Sequence, residues 1–244
     1  SGIAEGESAA SLDLQNERDP KFHYQQQCFS DPSDFLAAYL NVSGPSYTIS
    51  TACSSSARAF ISAANLIETG LIDLAIVGGA DTLCQLSLQG FHALGALSKE
   101  PCQPFAKNRS GINIGEAAGL MILSKKPSNI ALLGWGSSSD AWHISAPHPE
   151  GIGAEASMRQ ALKKADLKPE EIGYVNLHGT GTALNDSAES KAIYNIFKDS
   201  VPCSSTKYLT GHTLGAAGIT EIGLSALILE KKLSLPHQPF SASY

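Results

Sequence analysis

The sequence predicts an α/β protein. Short apolar runs alternate with segments of helical periodicity along the chain. Glycine-rich loops close the runs, and the same order of run, loop and helix occurs twice. The composition supports an ordinary globular protein: 244 residues, 43% hydrophobic and 16% charged, enough for a substantial core.

Residues 1–30 are polar and rich in Gln, Asp and Ser, and are expected to be irregular. Residues 33–40 read as a short helix opened by Asp31-Pro32. Residues 47–51 read as a strand, and residues 54–69 as a helix ended by Gly70 in the C-cap position. The apolar run 74–77, closed by Gly78-Gly79, reads as a buried strand. Residues 117–123 and 130–135 are further strands, and 151–165 a helix ending near Pro169. Strand 172–177 runs directly into His178. Residues 186–197 form a helix and 201–205 a short strand. A last helix covers 217–232, where Ile219, Ile222, Leu224, Leu227 and Ile228 recur near helical spacing, with Pro236 and Pro239 beyond. The duplicated order breaks near Lys125-Lys126-Pro127-Ser128, which divides the chain into halves 1–127 and 128–244.

Composition also excludes classes. A net charge of -6 gives no global pull on nucleic acid. No apolar run approaches the roughly 20 residues of a membrane span. The first residues, Ser1-Gly2-Ile3-Ala4-Glu5, lack the basic and apolar regions of a signal peptide. The five cysteines (Cys28, Cys53, Cys84, Cys102, Cys203) are scattered, with no CxxC, so neither structural zinc nor a disulfide framework is expected. Reduced thiols in a cytoplasm are the expectation.

Cys53 is the first candidate for chemistry. It lies in Thr51-Ala52-Cys53-Ser54-Ser55-Ser56, where an extended β-branched run turns into a helix. A helix start there presents free N–H groups that favour the thiolate. Two readings stand for this residue: an inert small core side chain, or a nucleophile. His178, in Asn176-Leu177-His178-Gly179-Thr180-Gly181-Thr182, and His212, in Thr210-Gly211-His212, occupy similar loops at strand ends. Ligands of α/β sheets collect at such ends.

With these motifs in view, the chain resembles the β-ketoacyl-acyl-carrier-protein synthases, the condensing enzymes of the thiolase-like superfamily. The residues that carry the resemblance are Gly44-Pro45-Ser46-Tyr47-Thr48-Ile49 through Ser56, Gly78-Gly79-Ala80, and Gly95-Ala96-Leu97-Ser98. Asn176 through Thr182 with Asp186, and Ser204-Ser205-Thr206-Lys207 with Thr210 through Gly218, complete it. The family order is kept from about Gly44 to Pro239.

The resemblance implies a thiolase-like layered α-β-α-β-α fold with two similar halves. It implies an acyltransferase that performs a decarboxylative Claisen condensation, joining malonyl carrier protein to a Cys53-bound acyl chain. Cys53, His178, His212 and Lys207 are the implied catalytic residues. Glu221 is implied as the charged partner of Lys207, Asp186 as a brace of the His178 loop, and Lys99 as a contact for an acidic carrier protein. No cofactor or metal is implied, since substrates ride on the phosphopantetheine of acyl carrier protein. The implied partners are that carrier protein and a second synthase copy, as a homodimer or a heterodimer. The Cys-His-His set separates elongating synthases from initiating ones, which have Asn at the position of His212, and from thiolases, which use a second cysteine.

The motif sequences lean toward polyketide-type members, aryl-polyene assembly among them. Rival readings are a non-catalytic partner of an intact synthase and an acyltransferase that does not decarboxylate. Two departures from the pattern stand out: Ala106 replaces an Asp, and Ile112 replaces a Phe. The family also carries a long segment before the position of Ser1 and a Gly-Phe-Gly-Gly loop after that of Tyr244. A chain lacking both is expected not to condense by itself.

Overall fold

In the computed structural model, which describes residues 28–240, the chain forms two units. The first takes in the described residues up to Leu94, with Ile114–Lys126 and Thr213–Gly223; the second holds Gly95–Asn113, Pro127–His212 and the rest beyond Leu224. The expectation for residues 1–27 lies outside the described residues.

In the first unit, α1 (Asp31–Tyr39) opens with Pro32 in its first turn, where a missing N–H costs nothing. α2 (Ser55–Glu68) follows Cys53 directly. It ends as its glycine predicts: Gly70 has φ +76°, and the Leu71 N–H reaches back to the Leu66 carbonyl at 3.0 Å. β1 (Leu74–Asp81) then pairs antiparallel with β2 (Ala117–Ser124), from Leu74 opposite Ser124 to Asp81 opposite Ala117. Between them lies α3 (Gln85–Ala93), a helix that the sequence reading did not anticipate.

One face of this sheet packs on α2 and on the start of α7 (Ala217–Lys231), burying Phe60, Ala63, Val77, Ala216 and Ile219 together. The other face is open, with Leu74, Ile76, Leu120 and Ile122 exposed by 40 to 67%. This corrects the expectation of a strand buried on both faces. β1 has a ladder partner on one side only among the described residues. Its free edge lines a cavity of about 510 Å³ whose wall also includes Tyr47, Thr48 and Ile49. Residues 47–51 were expected as a strand, but no ladder forms there among the described residues. An extended run becomes a strand only when a neighbour takes its backbone groups.

The second unit contains α4 (Ile152–Ala165), β3 (Val175–Asn176), α5 (Ala183–Phe197), β4 (Cys203–Ser204), the single turn α6 (Lys207–Thr210) and the latter part of α7. β3 and β4 are parallel, Val175 opposite Cys203. Both are shorter than the expected 172–177 and 201–205, and 130–135 forms no ladder among the described residues. The core is Phe105, Leu177, Ile193, Ile196, Phe197 and Val201. This packing puts the loop after β3 and the turn after β4 at the same end of a parallel pair.

Candidate active site

The corner that carries Cys53 is knitted by its own side chains. The Ser54 hydroxyl donates to the Thr51 carbonyl at 2.8 Å, and the Ser55 hydroxyl donates to the Ala52 carbonyl at 2.6 Å while accepting the Thr51 N–H at 2.9 Å. Ala52, immediately before the thiol, has φ +53°. A side chain other than glycine is rarely held in that left-handed region, and such strain clusters at functional positions. Cys53 itself is half-buried. Cys102 makes a contrast: it is buried, its thiol donates to the Thr180 carbonyl at 3.3 Å, and burial pushes its pKa up to about 11.

The second unit builds its site around the two histidines. His178 leaves the end of β3, and His212 follows Gly211 after α6. Their rings meet edge to face at 5.2 Å between centroids. The Lys207 ammonium donates to His178 Nδ1 at 3.3 Å. An ammonium has no lone pair to offer, so Nδ1 is the acceptor and the ring proton sits on Nε2. His178 is thereby oriented with a donor to spare.

Both rings are held neutral. Burial pushes the His178 pKa well below the usual value, and the charge of Lys207 pushes it further. Burial and the Lys207 charge bring His212 to about 3. Its backbone is tied as well, since the His212 N–H donates to the Asn113 carbonyl at 2.7 Å.

Lys207 is only 2% exposed. Its charge acts on Glu189 of α5. Glu189 Oε1 accepts the His178 N–H at 2.6 Å and Oε2 accepts the Gly179 N–H at 2.7 Å. Burial raises its pKa to about 7, opposed by these two bonds and by Lys207. The sequence reading passed over this residue. A signal was present: Asp186 and Glu189 stand three apart, on one face of a helix that leaves the His178 loop.

Asp186 is 1% exposed and accepts the Phe105 N–H at 2.8 Å and the Gly181 N–H at 3.2 Å. Arg109 lies 3.4 Å from it. Ala106 and Ile112 are both buried. Gly181 has φ +76°, and a Cβ there would meet Cys102 Sγ and the Gly111 carbonyl at 2.8 Å. Gln238, also unforeseen, accepts the Ser205 N–H at 2.9 Å and donates to the Pro104 carbonyl at 2.9 Å. Glu221 is half-buried on α7, and Lys99 is exposed in a loop.

The chain matches the family models described as the β-ketoacyl synthase N-terminal domain, over residues 1–129, and the β-ketoacyl synthase C-terminal domain, over residues 130–241. The chain belongs to the β-ketoacyl synthase family. A chloroplastic 3-oxoacyl-[acyl-carrier-protein] synthase I of Hordeum vulgare is 35% identical over 219 residues, 83% of this chain and 46% of that protein. A 3-oxoacyl-[acyl-carrier-protein] synthase 2 of Staphylococcus aureus is 35% identical over 214 residues, 81% of this chain and 53% of that protein. The chain thus spans about half the length of these curated relatives. Among solved structures, a chain of the complex of a ketosynthase with its chain length factor from Xenorhabdus doucetiae superposes with a TM-score of 0.95 at 56% identity. That match covers 98% of this chain and 61% of the chain it matches. The ishigamide ketosynthase/chain length factor gives a TM-score of 0.91 at 29% identity, covering 100% of this chain and 64% of that one. With such neighbours, the thiolase-like α/β class expected from the sequence holds for this family member.

Proposed function

We propose that this chain carries the catalytic residues of a 3-oxoacyl-acyl-carrier-protein synthase that elongates by decarboxylative condensation. In this reading the Cys53 thiolate attacks the thioester of an acyl carrier protein, expels the carrier's phosphopantetheine thiol and keeps the acyl group as a thioester. Malonyl carrier protein then loses carbon dioxide, and the electron pair of the broken C–C bond becomes an enolate. His178, through Nε2–H, and His212 each donate a hydrogen bond to the enolate oxygen. Preorganised donors of this kind are commonly worth about 3–4 kcal/mol each. The enolate carbon attacks the Cys53 thioester, and the sulfur leaves as thiolate. The product is a 3-oxoacyl chain two carbons longer.

The observation that carries this reading is the Lys207 bond to His178 Nδ1. It supports a neutral imidazole whose free proton points away from the lysine. Neutrality suits the role, because a donor that keeps its proton can release the enolate for attack. Glu189 fixes the same loop through two backbone amides. Cys53 favours this reading over a non-catalytic partner, which would have no use for a thiol at a strained corner.

We also propose a second synthase-like subunit and an acyl carrier protein as partners. Complexes of two related ketosynthases with their chain length factors support the first. A related ketosynthase in complex with a type II polyketide acyl carrier protein supports the second, with Lys99 as one exposed cation for an acidic carrier. The product class that fits these relatives is a polyketide-type chain.

Mass spectrometry after incubation with an acylated carrier protein tests the reading. Acyl mass is expected on the Cys53 peptide and is lost in Cys53→Ala. Carbon dioxide release from malonyl carrier protein is expected to need both His178 and His212. Absence of acyl mass on Cys53 from every acyl carrier offered would sink the proposal.

A further inference from the structure

Within the first unit, the start of α2 and the end of β1 both meet the turn that opens α7, and one side chain from each is bonded to it. The Ser56 hydroxyl donates to the Gly215 carbonyl at 2.7 Å and accepts the Ile219 N–H at 3.0 Å. Ile219 lies in the first turn of α7, where an N–H has no carbonyl in its own helix. Ser56 therefore caps a helix other than its own. Asp81, the last residue of β1, accepts the Gly215 N–H at 2.8 Å. Gly215 is thus held at both its N–H and its carbonyl.

The turn needs holding. Leu214 has φ +46°, a left-handed conformation that is unfavourable for a branched side chain. Packing leaves little slack: a Cβ at Gly218 would stand 2.6 Å from the Ala57 nitrogen, and a Cβ at Gly79 would stand 2.8 Å from Ser56 Cβ. Ser56 is 2% exposed and Asp81 is 5% exposed. Burial raises the Asp81 pKa, against the pull of the Gly215 N–H.

We infer that Ser56 and Asp81 are positioning residues for Cys53: Asp81 pins the strained Thr213–Ala216 turn to the end of β1, and Ser56 latches that turn to the helix start that follows the thiol. The latch acts through the backbone: Ser56 fixes the first turn of α2, and the Ser55 hydroxyl ties that turn to Thr51 and Ala52. The inference rests on the reading of Cys53 as the nucleophile.

The test is the pH profile of Cys53 alkylation by iodoacetamide, followed on the Cys53 peptide by mass spectrometry. Amide hydrogen exchange at Gly215 and Ile219 is read in parallel. Ser56→Ala is expected to speed exchange at Ile219 about tenfold or more, and to raise the alkylation midpoint by about one pH unit as the helix start loses its alignment. Asp81→Ala is expected to do the same through Gly215, and Asp81→Asn, which keeps an acceptor oxygen, to restore the wild-type midpoint. Thr69→Ala weakens the far end of the same helix, where the Thr69 hydroxyl donates to the Asn65 carbonyl at 2.9 Å, and is expected to leave the midpoint unmoved. A fast-reacting wild-type Cys53 whose midpoint does not move in Ser56→Ala or Asp81→Ala overturns the latch alone. A wild-type Cys53 that reacts no faster than exposed Cys28 removes the nucleophile reading and this inference together.

Discussion

The two units handle their interiors in opposite ways. The first leaves Leu74, Ile76, Leu120 and Ile122 on an open sheet face. The second encloses Lys207, Asp186, Ser205 and His212, each no more than 3% exposed. An enclosed charge survives because its partners are local: Lys207 has His178 Nδ1 and the field of Glu189, and Asp186 has two amides and Arg109. The side-chain amide of Asn176 and the Thr206 hydroxyl are the exceptions, buried without a partner among the described residues. An apolar face asks only for cover, and the described residues of the first unit do not supply it. The histidine site is thus held by groups of its own unit, while one sheet face of the other is left uncovered among the described residues.

The largest expected effect breaks the enclosed charges. Lys207→Ala removes the cation beside Glu189 and the donor to His178, and is expected to cost about 3–5 kcal/mol, read by denaturant unfolding. A loss below 1 kcal/mol would mean that water reaches this site freely.

Acid should act next, through the histidines. The folded pKa of His212 is about 3 against an ordinary 6.5, so the unfolded chain binds the proton first as pH falls. Stability contributed by neutral His212 is present above pH 6.5 and is lost as pH falls toward 3, at about 1.4 kcal/mol per pH unit. Glu189 opposes this. Its folded pKa of about 7 lies above an ordinary 4.5, so its contribution is full below pH 4.5 and is lost as pH rises through 7. His178 is also held well below 6.5, so the two histidines together outweigh Glu189 between pH 4.5 and 6.5, and replacing both by Gln is expected to reverse the slope of stability against pH there. Unfolding free energies across that range check the sign.

Gly181→Ala is expected to cost about 2 kcal/mol, because its φ of +76° and its contacts with Cys102 and Gly111 leave no place for a methyl group. Ile122→Lys should matter least for folding, within about 0.5 kcal/mol, since the side chain is 67% exposed. Denaturant unfolding checks it, and a loss above about 2 kcal/mol would mean that the face is covered.

Much of this was legible in the sequence because it is local. The 3.6-residue period found α2, α4, α5 and α7 to within a few residues, and Gly70 marked a helix end. The small-residue corner at Cys53 and the Gly/Thr loops at His178 and His212 were visible as motifs. Strands fared worse: residues 47–51 and 130–135 have strand-like composition, but pairing is a property of the neighbour.

What the sequence by itself determined is the inventory: a cysteine before a helix, two histidines at strand ends, a lysine five residues before the second, and an α/β order that places them at loops. Tertiary structure alone decided that Glu189 comes under the charge of that lysine, which nitrogen of His178 keeps its proton, and that Ser56 caps a helix 163 residues further along the chain. The reason is physical. Periodicity and turn chemistry act over a few residues. Desolvation, tautomer and cross-helix capping depend on groups brought together only when distant segments pack.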